Sequence, residues 1–163
     1  KATVVVEEPE IVAPDAITVI TGSKYVVDEK ISAIVAKPTS NVSLTLGEFA
    51  AQIATDSTFV KVVNGSGKEQ TSATTKMTAK LSVQLLDASG AVVKTYKIII
   101  VGDPSGDGRL AAGDLNTINN YVKNSKNYPS GSEGFYAANT NGDKRLSALD
   151  GNALKKFMAS SEW

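Results

Sequence analysis

The chain has no cysteine and no histidine among its 163 residues. Disulfides, thiolate metal sites, histidine-ligated zinc and a Ser–His–Asp triad are therefore excluded. Positive and negative side chains balance, with 17 Lys and Arg against 17 Asp and Glu, so the charge favours neither a nucleic acid nor an anionic membrane as partner. The sequence has no apolar run of about 18 residues, so no membrane span is predicted. Because KATVVVEEPE opens inside a β-like pattern, we expect a fragment of a longer chain.

Two twelve-residue stretches near the end of the chain carry oxygen-bearing side chains at the same offsets. They are DPSGDGRLAAGD at 103–114, hereafter loop 1, and NTNGDKRLSALD at 139–150, hereafter loop 2. Positions 1, 3, 5 and 12 hold Asp103, Ser105, Asp107 and Asp114 in loop 1, and Asn139, Asn141, Asp143 and Asp150 in loop 2. Calcium prefers six to eight oxygen ligands, and this spacing is typical of an EF-hand calcium loop.

The two loops differ in ways that predict unequal affinity for calcium. Position 7 contributes a backbone carbonyl, so Arg109 and Arg145 are tolerated there with their charges towards solvent. Position 6 requires a positive φ, which suits Gly108, whereas Lys144 should strain or loosen loop 2. Loop 1 brings three carboxylates and loop 2 only two, so we expect weaker binding at loop 2. The alternative is a helical pair with polar turns and no metal.

Each loop is followed by apolar residues at helical spacing, but the first is not preceded by a helix. Residues 92–102, VVKTYKIIIVG, are β-branched and alternating, which predicts a strand. The first unit is therefore a loop with one exiting helix, half of an EF-hand. The linker between the repeats predicts a short helix over 132–139.

This order of loop–helix, linker, short helix and second loop–helix resembles a dockerin, the calcium-dependent plug module of cellulosome-type assemblies. GDPSGDGRLAAGDLNTINNYV and AANTNGDKRLSALDGNALKKFM resemble its two repeats, and the resemblance covers residues 102–163. It implies an all-α module with two EF-hand-like repeats, two Ca2+ sites, and a cohesin as partner. An extracellular location, secreted or attached to a bacterial cell surface, is also implied. Ser105, Asn139 and Lys144 depart from the usual pattern.

The resemblance also implies which residues touch the cohesin. They occupy loop positions 10 and 11 and helix positions 17 and 18, namely Ala112, Gly113, Asn119 and Asn120 in the first repeat and Ala148, Leu149, Lys155 and Lys156 in the second. The first set is small and amide-bearing, and the second is apolar and cationic. We therefore predict a single binding mode. Cations near a helix C-terminus are also common on plain solvated faces.

Residues 15–101 read as a β-rich unit with one helix. Strands are predicted within 16–21, 25–36, 59–64, 75–88 and 91–101, and a helix over 43–54. Thr45 and Glu48 match a capping box at the start of that helix. Residues 1–14 are an edge strand, at about 4–6, or a linker. The unit resembles the X modules that precede dockerins in scaffoldins and secreted polysaccharide-degrading enzymes, which implies a β-sandwich-like support for the dockerin.

The sequence therefore predicts a non-catalytic adaptor. A glycosidase needs paired carboxylates, and the candidate acidic residues in the first unit form no recognisable pair; these candidates are Asp28, Glu29, Glu48, Asp56, Glu69 and Asp87. A carbohydrate-binding module and a purely structural spacer remain as alternatives. A calcium sensor is disfavoured because it needs full EF-hands. A further hypothesis places the terminal Trp163 against Pro104.

Overall fold

The computed structural model describes residues 12–40 and 43–163, and the edge strand predicted at 4–6 lies outside these ranges. The described chain contains five strands, four α-helices and two 3-10 turns, the latter at Ser57–Phe59 and Ser125–Asn127. In chain order the main elements are β1 (Tyr25–Asp28), β2 (Ala33–Ala36), α1 (Leu46–Ala50), β3 (Val60–Asn64), β4 (Leu81–Leu86), β5 (Val92–Ile100), α2 (Ala112–Lys123), α3 (Glu133–Ala138) and α4 (Ala148–Ser160).

The five strands form a single mixed sheet in the order β1-β2-β5-β4-β3. The central pair, β2 and β5, is parallel, and the other neighbouring pairs are antiparallel. The end of β5 is buried at three successive residues, Ile98, Ile99 and Ile100. Continuous burial of this kind means that both faces of the sheet are covered there.

One face of the sheet packs against α1 and its flanking segments. Phe49 of α1 meets Tyr25 of β1 edge-on, with ring centroids 5.1 Å apart. The predicted capping box is confirmed, since Thr45 and Glu48 exchange side-chain to backbone hydrogen bonds. The helix ends earlier than predicted because the residues after it form backbone hydrogen bonds with an earlier segment of the chain. Ala54 N donates to Thr18 O, and Val19 and Ile53 form an isolated bridge. Residues 16–21 therefore contribute only this bridge and not the predicted strand.

The other face is covered by α3. Ala137 packs against Ala33 of β2 and Ile99 of β5 in a small buried cluster. The hydroxyl of Tyr136 donates a hydrogen bond of 2.7 Å to Asp28 Oδ2 at the end of β1. Because α3 lies between loop 1 and loop 2 in sequence, this contact holds the repeat region against the sheet.

The predicted fold class, a β-sandwich-like unit followed by an all-α dockerin, is wrong. The protein is a mixed α/β structure with a five-stranded sheet and four short helices. Helices take the place expected for a second sheet, because Ile99 and Ala33 are covered by α3. Apolar alternation along β2 and β5 reports that a face is buried but carries no information on what covers it. The division of the chain into 1–14, 15–101 and 102–163 stays a prediction.

Candidate functional site

Loop 1 folds around the carboxylate of Asp103, which is 3% exposed. Its Oδ1 accepts hydrogen bonds from Ser105 Oγ at 2.9 Å, Gly106 N at 2.7 Å and Asp107 N at 3.2 Å. Its Oδ2 accepts one from Gly108 N at 2.7 Å. One side chain thus orders the backbone of the first half of the loop.

Asp114 closes loop 1 and lies in the first turn of α2. Its Oδ2 accepts from Ala111 N at 2.9 Å, and its Oδ1 accepts from Ser105 N at 3.3 Å. Burial raises the pKa of Asp103 to about 6, and the negative charge of Asp114 acts in the same direction. Two buried carboxylates close together are a location where a cation would relieve both desolvation and repulsion.

Two glycines bring loop 1 against the segment that enters β4. Gly106 and Gly108 have φ values of +73° and +81°, which only glycine adopts without strain. A Cβ on Gly108 would lie 2.7 Å from the carbonyl oxygen of Met77, and one on Gly106 would lie 2.9 Å from Ala79 Cβ. The prediction that Gly108 needs a positive φ is confirmed, and the backbone of loop 1 rests directly on residues 77–79.

Loop 2 has a different hydrogen-bond pattern at position 1. The amide Nδ2 of Asn139 donates to the carbonyl oxygen of Asp143 at 2.6 Å. Its Oδ1 is buried and has no hydrogen-bond donor among the described residues. Asn141 Oδ1 accepts from Asp143 N at 3.0 Å. Asp150 repeats the role of Asp114, since its Oδ2 accepts from Ser147 N at 2.8 Å and its Oδ1 from Asn141 N at 3.3 Å.

Lys144 does not adopt the left-handed conformation expected at position 6. Among the residues that the structure describes, non-glycine residues with positive φ are Ser32 and Ser161 alone. Loop 2 shares the turn at position 4, where Gly142 has a φ of +75° as Gly106 has +73° in loop 1, but it lacks the second left-handed residue at position 6. The loop therefore avoids backbone strain at Lys144 by departing from the conformation of loop 1. Arg109 and Arg145 are both exposed, as predicted.

The donor atoms of both loops suit calcium in chemistry, but the three carboxylates of loop 1 are not placed together as a metal-binding group. All the candidate side-chain ligands bear oxygen, the element that calcium prefers. The buried Oδ1 of Asn139 is an acceptor that a cation would satisfy. However, Asp107 is exposed, and no group of three or more Asp, Glu, His or Cys within 12–40 and 43–163 is placed to hold a metal ion. Calcium therefore stays a prediction for both loops.

The two helices that leave the loops pack on each other through Ile118 of α2 and Leu154 of α4, both fully buried. A Cβ on Gly151 would lie 3.0 Å from Asn119 Oδ1, so the helices approach closely at that point. All eight residues predicted to touch a partner are exposed, and they are Ala112, Gly113, Asn119, Asn120, Ala148, Leu149, Lys155 and Lys156. Leu149 exposes 56% of its surface.

Trp163 takes other partners than the predicted Pro104. Its ring stacks on Phe157 with centroids 4.2 Å apart, and its Nε1 donates to the carbonyl oxygen of Pro38 at 2.7 Å. Sequence reasoning also missed the bond between Tyr136 and Asp28, because neither residue belongs to a recognisable motif. The sequence did contain a sign that position 1 of loop 2 is unusual, because Asn139 stands there where loop 1 has Asp103.

The chain matches no protein family, no curated protein and no solved structure. No helix within the described ranges is long and apolar enough to cross a membrane.

Proposed function

We propose that the chain is a non-catalytic adaptor that docks its parent protein onto a cohesin in an extracellular cellulosome-type assembly. Calcium at loops 1 and 2 orders the repeats, and the sheet supports them. The observation that carries the proposal is the pair of helices, α2 and α4, which bury apolar residues against each other and leave all eight candidate contact residues exposed.

The exposed face of α4 has the composition of a protein-binding surface. Leu149 is a large apolar residue that is more than half exposed, and Lys155 and Lys156 lie further along the same helix. An apolar anchor with flanking charges is a common arrangement at protein interfaces. The matching positions on α2 hold Gly113, Asn119 and Asn120, which offer hydrogen bonds but no anchor. We infer that the α4 face contributes more of the binding free energy.

The role of the sheet as a support follows from three contacts. Tyr136 donates to Asp28, Lys97 pairs with Glu133, and Trp163 donates to the carbonyl oxygen of Pro38. These contacts join α3 and the end of the chain to β1, β5 and the segment after β2. Through these contacts, a partner bound to α2 and α4 would be coupled to the sheet as well as to the helices.

The carbohydrate-binding alternative has less support. A sugar-binding platform uses exposed aromatic rings, but the aromatic residues between 15 and 101 are buried; they are Tyr25, Phe49, Phe59 and Tyr96. A structural spacer without a partner remains as the second candidate, since the contacts between helices and sheet would stiffen such a spacer equally well.

The first test is a calorimetric calcium titration of protein that has been stripped with EDTA. Two binding events are expected, the weaker one at loop 2. A pull-down with a panel of cohesins, with and without EDTA, then tests the adaptor role. Capture that EDTA abolishes supports the proposal. Calcium binding with no capture by any cohesin would favour the spacer, and no calcium binding would overturn the calcium-dependent part.

A matched pair of triple variants locates the binding face. The first replaces Leu149, Lys155 and Lys156 with Glu, and the second replaces the corresponding Gly113, Asn119 and Asn120 with Glu. We expect the first variant to lose cohesin capture and the second to retain most of it. The reverse result would assign the partner to α2, and equal losses would argue against a single binding mode.

A further inference from the structure

The sequence contains two Asn–Gly pairs, Asn64–Gly65 and Asn141–Gly142. In such a pair the backbone nitrogen of the glycine can attack the side-chain carbonyl carbon of the asparagine. Glycine favours this reaction because it has no Cβ to obstruct the nitrogen and has wide backbone freedom. Both glycines are exposed, and a Cβ on either would meet open space. The two pairs differ in the hydrogen bonds of the asparagine side chain, and we expect that difference to set which one reacts faster.

The second pair lies in the exposed part of loop 2. Asn141 and Gly142 are both exposed, and no atom lies within 4 Å of where a Cβ on Gly142 would be. In the described structure the Gly142 N–H has no hydrogen-bond acceptor. The side chain of Asn141 makes two hydrogen bonds, since its Oδ1 accepts from Asp143 N and its Nδ2 donates to Asp143 Oδ2.

Loop 1 shows why the Gly142 N–H is free. At the equivalent position, Gly106 N donates to Asp103 Oδ1 at 2.7 Å, so that nitrogen is held. Loop 2 has Asn139 in place of Asp103, and Asn139 directs its amide to the carbonyl oxygen of Asp143. Gly106 N donates to Asp103 both at Oδ1 and at the backbone oxygen, and neither bond has a counterpart in loop 2, so the nitrogen after Asn141 is unrestrained.

We propose that Asn141 is a site of spontaneous deamidation, and that calcium in loop 2 suppresses it. The nitrogen of Gly142 loses its proton to solvent base and bonds to Cγ of Asn141. The bond between Cγ and Nδ2 then breaks, and the amide leaves as ammonia with a proton from water. The resulting succinimide is opened by one water molecule, which yields aspartate or isoaspartate at position 141. Suppression by calcium rests on the proposed function, but the reaction itself does not.

The two products would affect loop 2 in opposite ways. Aspartate at position 3 raises the number of carboxylates in the loop from two to three, which strengthens a calcium site. Isoaspartate lengthens the backbone by one methylene and displaces the alternating ligands. Calcium in the loop would hinder both outcomes, because a ligated Asn141 side chain cannot turn its carbonyl carbon towards the Gly142 nitrogen.

The first pair provides a control within the same molecule. Asn64 ends β3, pairs with Leu81 of β4, and its Oδ1 accepts three hydrogen bonds, from Ser66 N, Ser66 Oγ and Lys68 N. Asn141 Oδ1 accepts only one. Counting also the bond that Asn141 Nδ2 donates to Asp143 Oδ2, Asn64 has one more side-chain hydrogen bond to break. We therefore expect Asn141 to react roughly 5-fold faster, a ratio that corresponds to about 1 kcal/mol.

The test uses the full chain, incubated at mildly alkaline pH in EDTA and in parallel in excess calcium. Peptide mapping by mass spectrometry follows the conversion of amide to acid at both asparagines, and protein isoaspartate methyltransferase labels the isoaspartate. In EDTA the peptide with Asn141 should convert well before the peptide with Asn64. Equal or slower conversion at Asn141 would overturn the proposal.

The calcium arm separates this inference from the proposed function. Fast conversion of Asn141 in EDTA with suppression in calcium supports both. Fast conversion in both samples keeps the reaction and contradicts calcium binding at loop 2. Asn139→Asp restores the acceptor present in loop 1, and should slow the reaction in EDTA towards the rate at Asn64. Asn141→Ser, which copies Ser105 of loop 1, should abolish the change in that peptide.

Discussion

The indole Nε1 of Trp163 donates a hydrogen bond of 2.7 Å to the carbonyl oxygen of Pro38, which stands 125 positions earlier in the chain. Lys37 Nζ lies 5.4 Å from the centroid of the same ring. The edge of the ring also closes over Gly102, where a Cβ would lie 3.0 Å from Trp163 Cη2. The final residue therefore joins α4, the segment after β2 and the entrance to loop 1.

Trp163→Ala should lower the free energy of unfolding by about 2 kcal/mol, since it removes an aromatic stack and a hydrogen bond worth about 1 kcal/mol each. Trp163→Phe keeps the stack on Phe157 but loses the bond to Pro38, so its loss should be about 1 kcal/mol. Urea denaturation followed by far-UV circular dichroism measures both. A free energy of unfolding equal to wild type in Trp163→Ala would contradict the conclusion that Trp163 stabilises the protein by joining these three parts.

Gly108→Ala should destabilise the protein more than Gly142→Ala. Both residues have a positive φ, which costs a non-glycine residue roughly 1–2 kcal/mol. Only at Gly108 does the new Cβ also meet backbone, 2.7 Å from the carbonyl oxygen of Met77, whereas Gly142 faces open space. We expect a difference of at least about 1 kcal/mol between the two variants. Similar melting temperatures would show that loop 1 is not seated on residues 77–79.

The bond between Tyr136 and Asp28 should make the stability dependent on pH. The hydrogen bond from Tyr136 is the main cause that holds the pKa of Asp28 below its ordinary value. A depressed pKa in the folded state stabilises the protein above the pKa of the unfolded carboxyl, about 3.9. That stabilisation disappears as the pH falls through the lower folded value.

Tyr136→Phe should therefore lower the free energy of unfolding by about 1 kcal/mol at neutral pH. The difference from wild type should shrink in acid, and NMR titration should show a higher pKa for Asp28. In a background of Asp28→Asn the same substitution should have a smaller effect, because a double-mutant cycle removes the shared bond. A loss that does not vary with pH would assign the effect to packing of the ring alone.

Local features of the chain could be predicted from sequence because neighbouring residues determine them. Thr45 and Glu48 lie three positions apart and form the predicted capping box, and the β-branched run before loop 1 forms β5. The strand predicted over 75–88 begins only at Leu81. Met77 continues the apolar alternation because its side chain is buried in the main hydrophobic core, not because it pairs in the sheet.

Long-range relationships could not be predicted in this way. Nothing in the period of β2 or β5 distinguishes a second sheet from the helix α3 that covers Ile99. The carbonyl oxygen of Pro38 carries no sequence signal that would pair it with Trp163. The offsets of the two loops could be read directly, but the orientation of Asn139 Oδ1 depends on its bond to the carbonyl oxygen of Asp143. Such contacts follow from the assembled fold.

Removal of calcium should affect the two loops unequally, and a matched pair of variants tests this. Asp107→Asn and Asp143→Asn each remove one negative charge at position 5, while their side-chain oxygens can still accept from Arg109 N and Arg145 N respectively. If calcium binds as proposed, each variant should weaken its own site on the order of tenfold. That loss corresponds to about 1.4 kcal/mol of calcium-linked stability.

The readout is the shift of the thermal midpoint between EDTA and excess calcium. Asp107→Asn should reduce this shift more than Asp143→Asn, because loop 1 has the larger number of carboxylates and is packed on the sheet, so its occupancy stabilises both parts of the protein. In EDTA the two variants should melt close to wild type, since Asp107 is exposed, Asp143 is half-buried, and each variant keeps the oxygen that accepts from the backbone. A larger effect of Asp143→Asn would make loop 2 the principal site, and no shift with calcium in wild type would contradict metal binding at either loop.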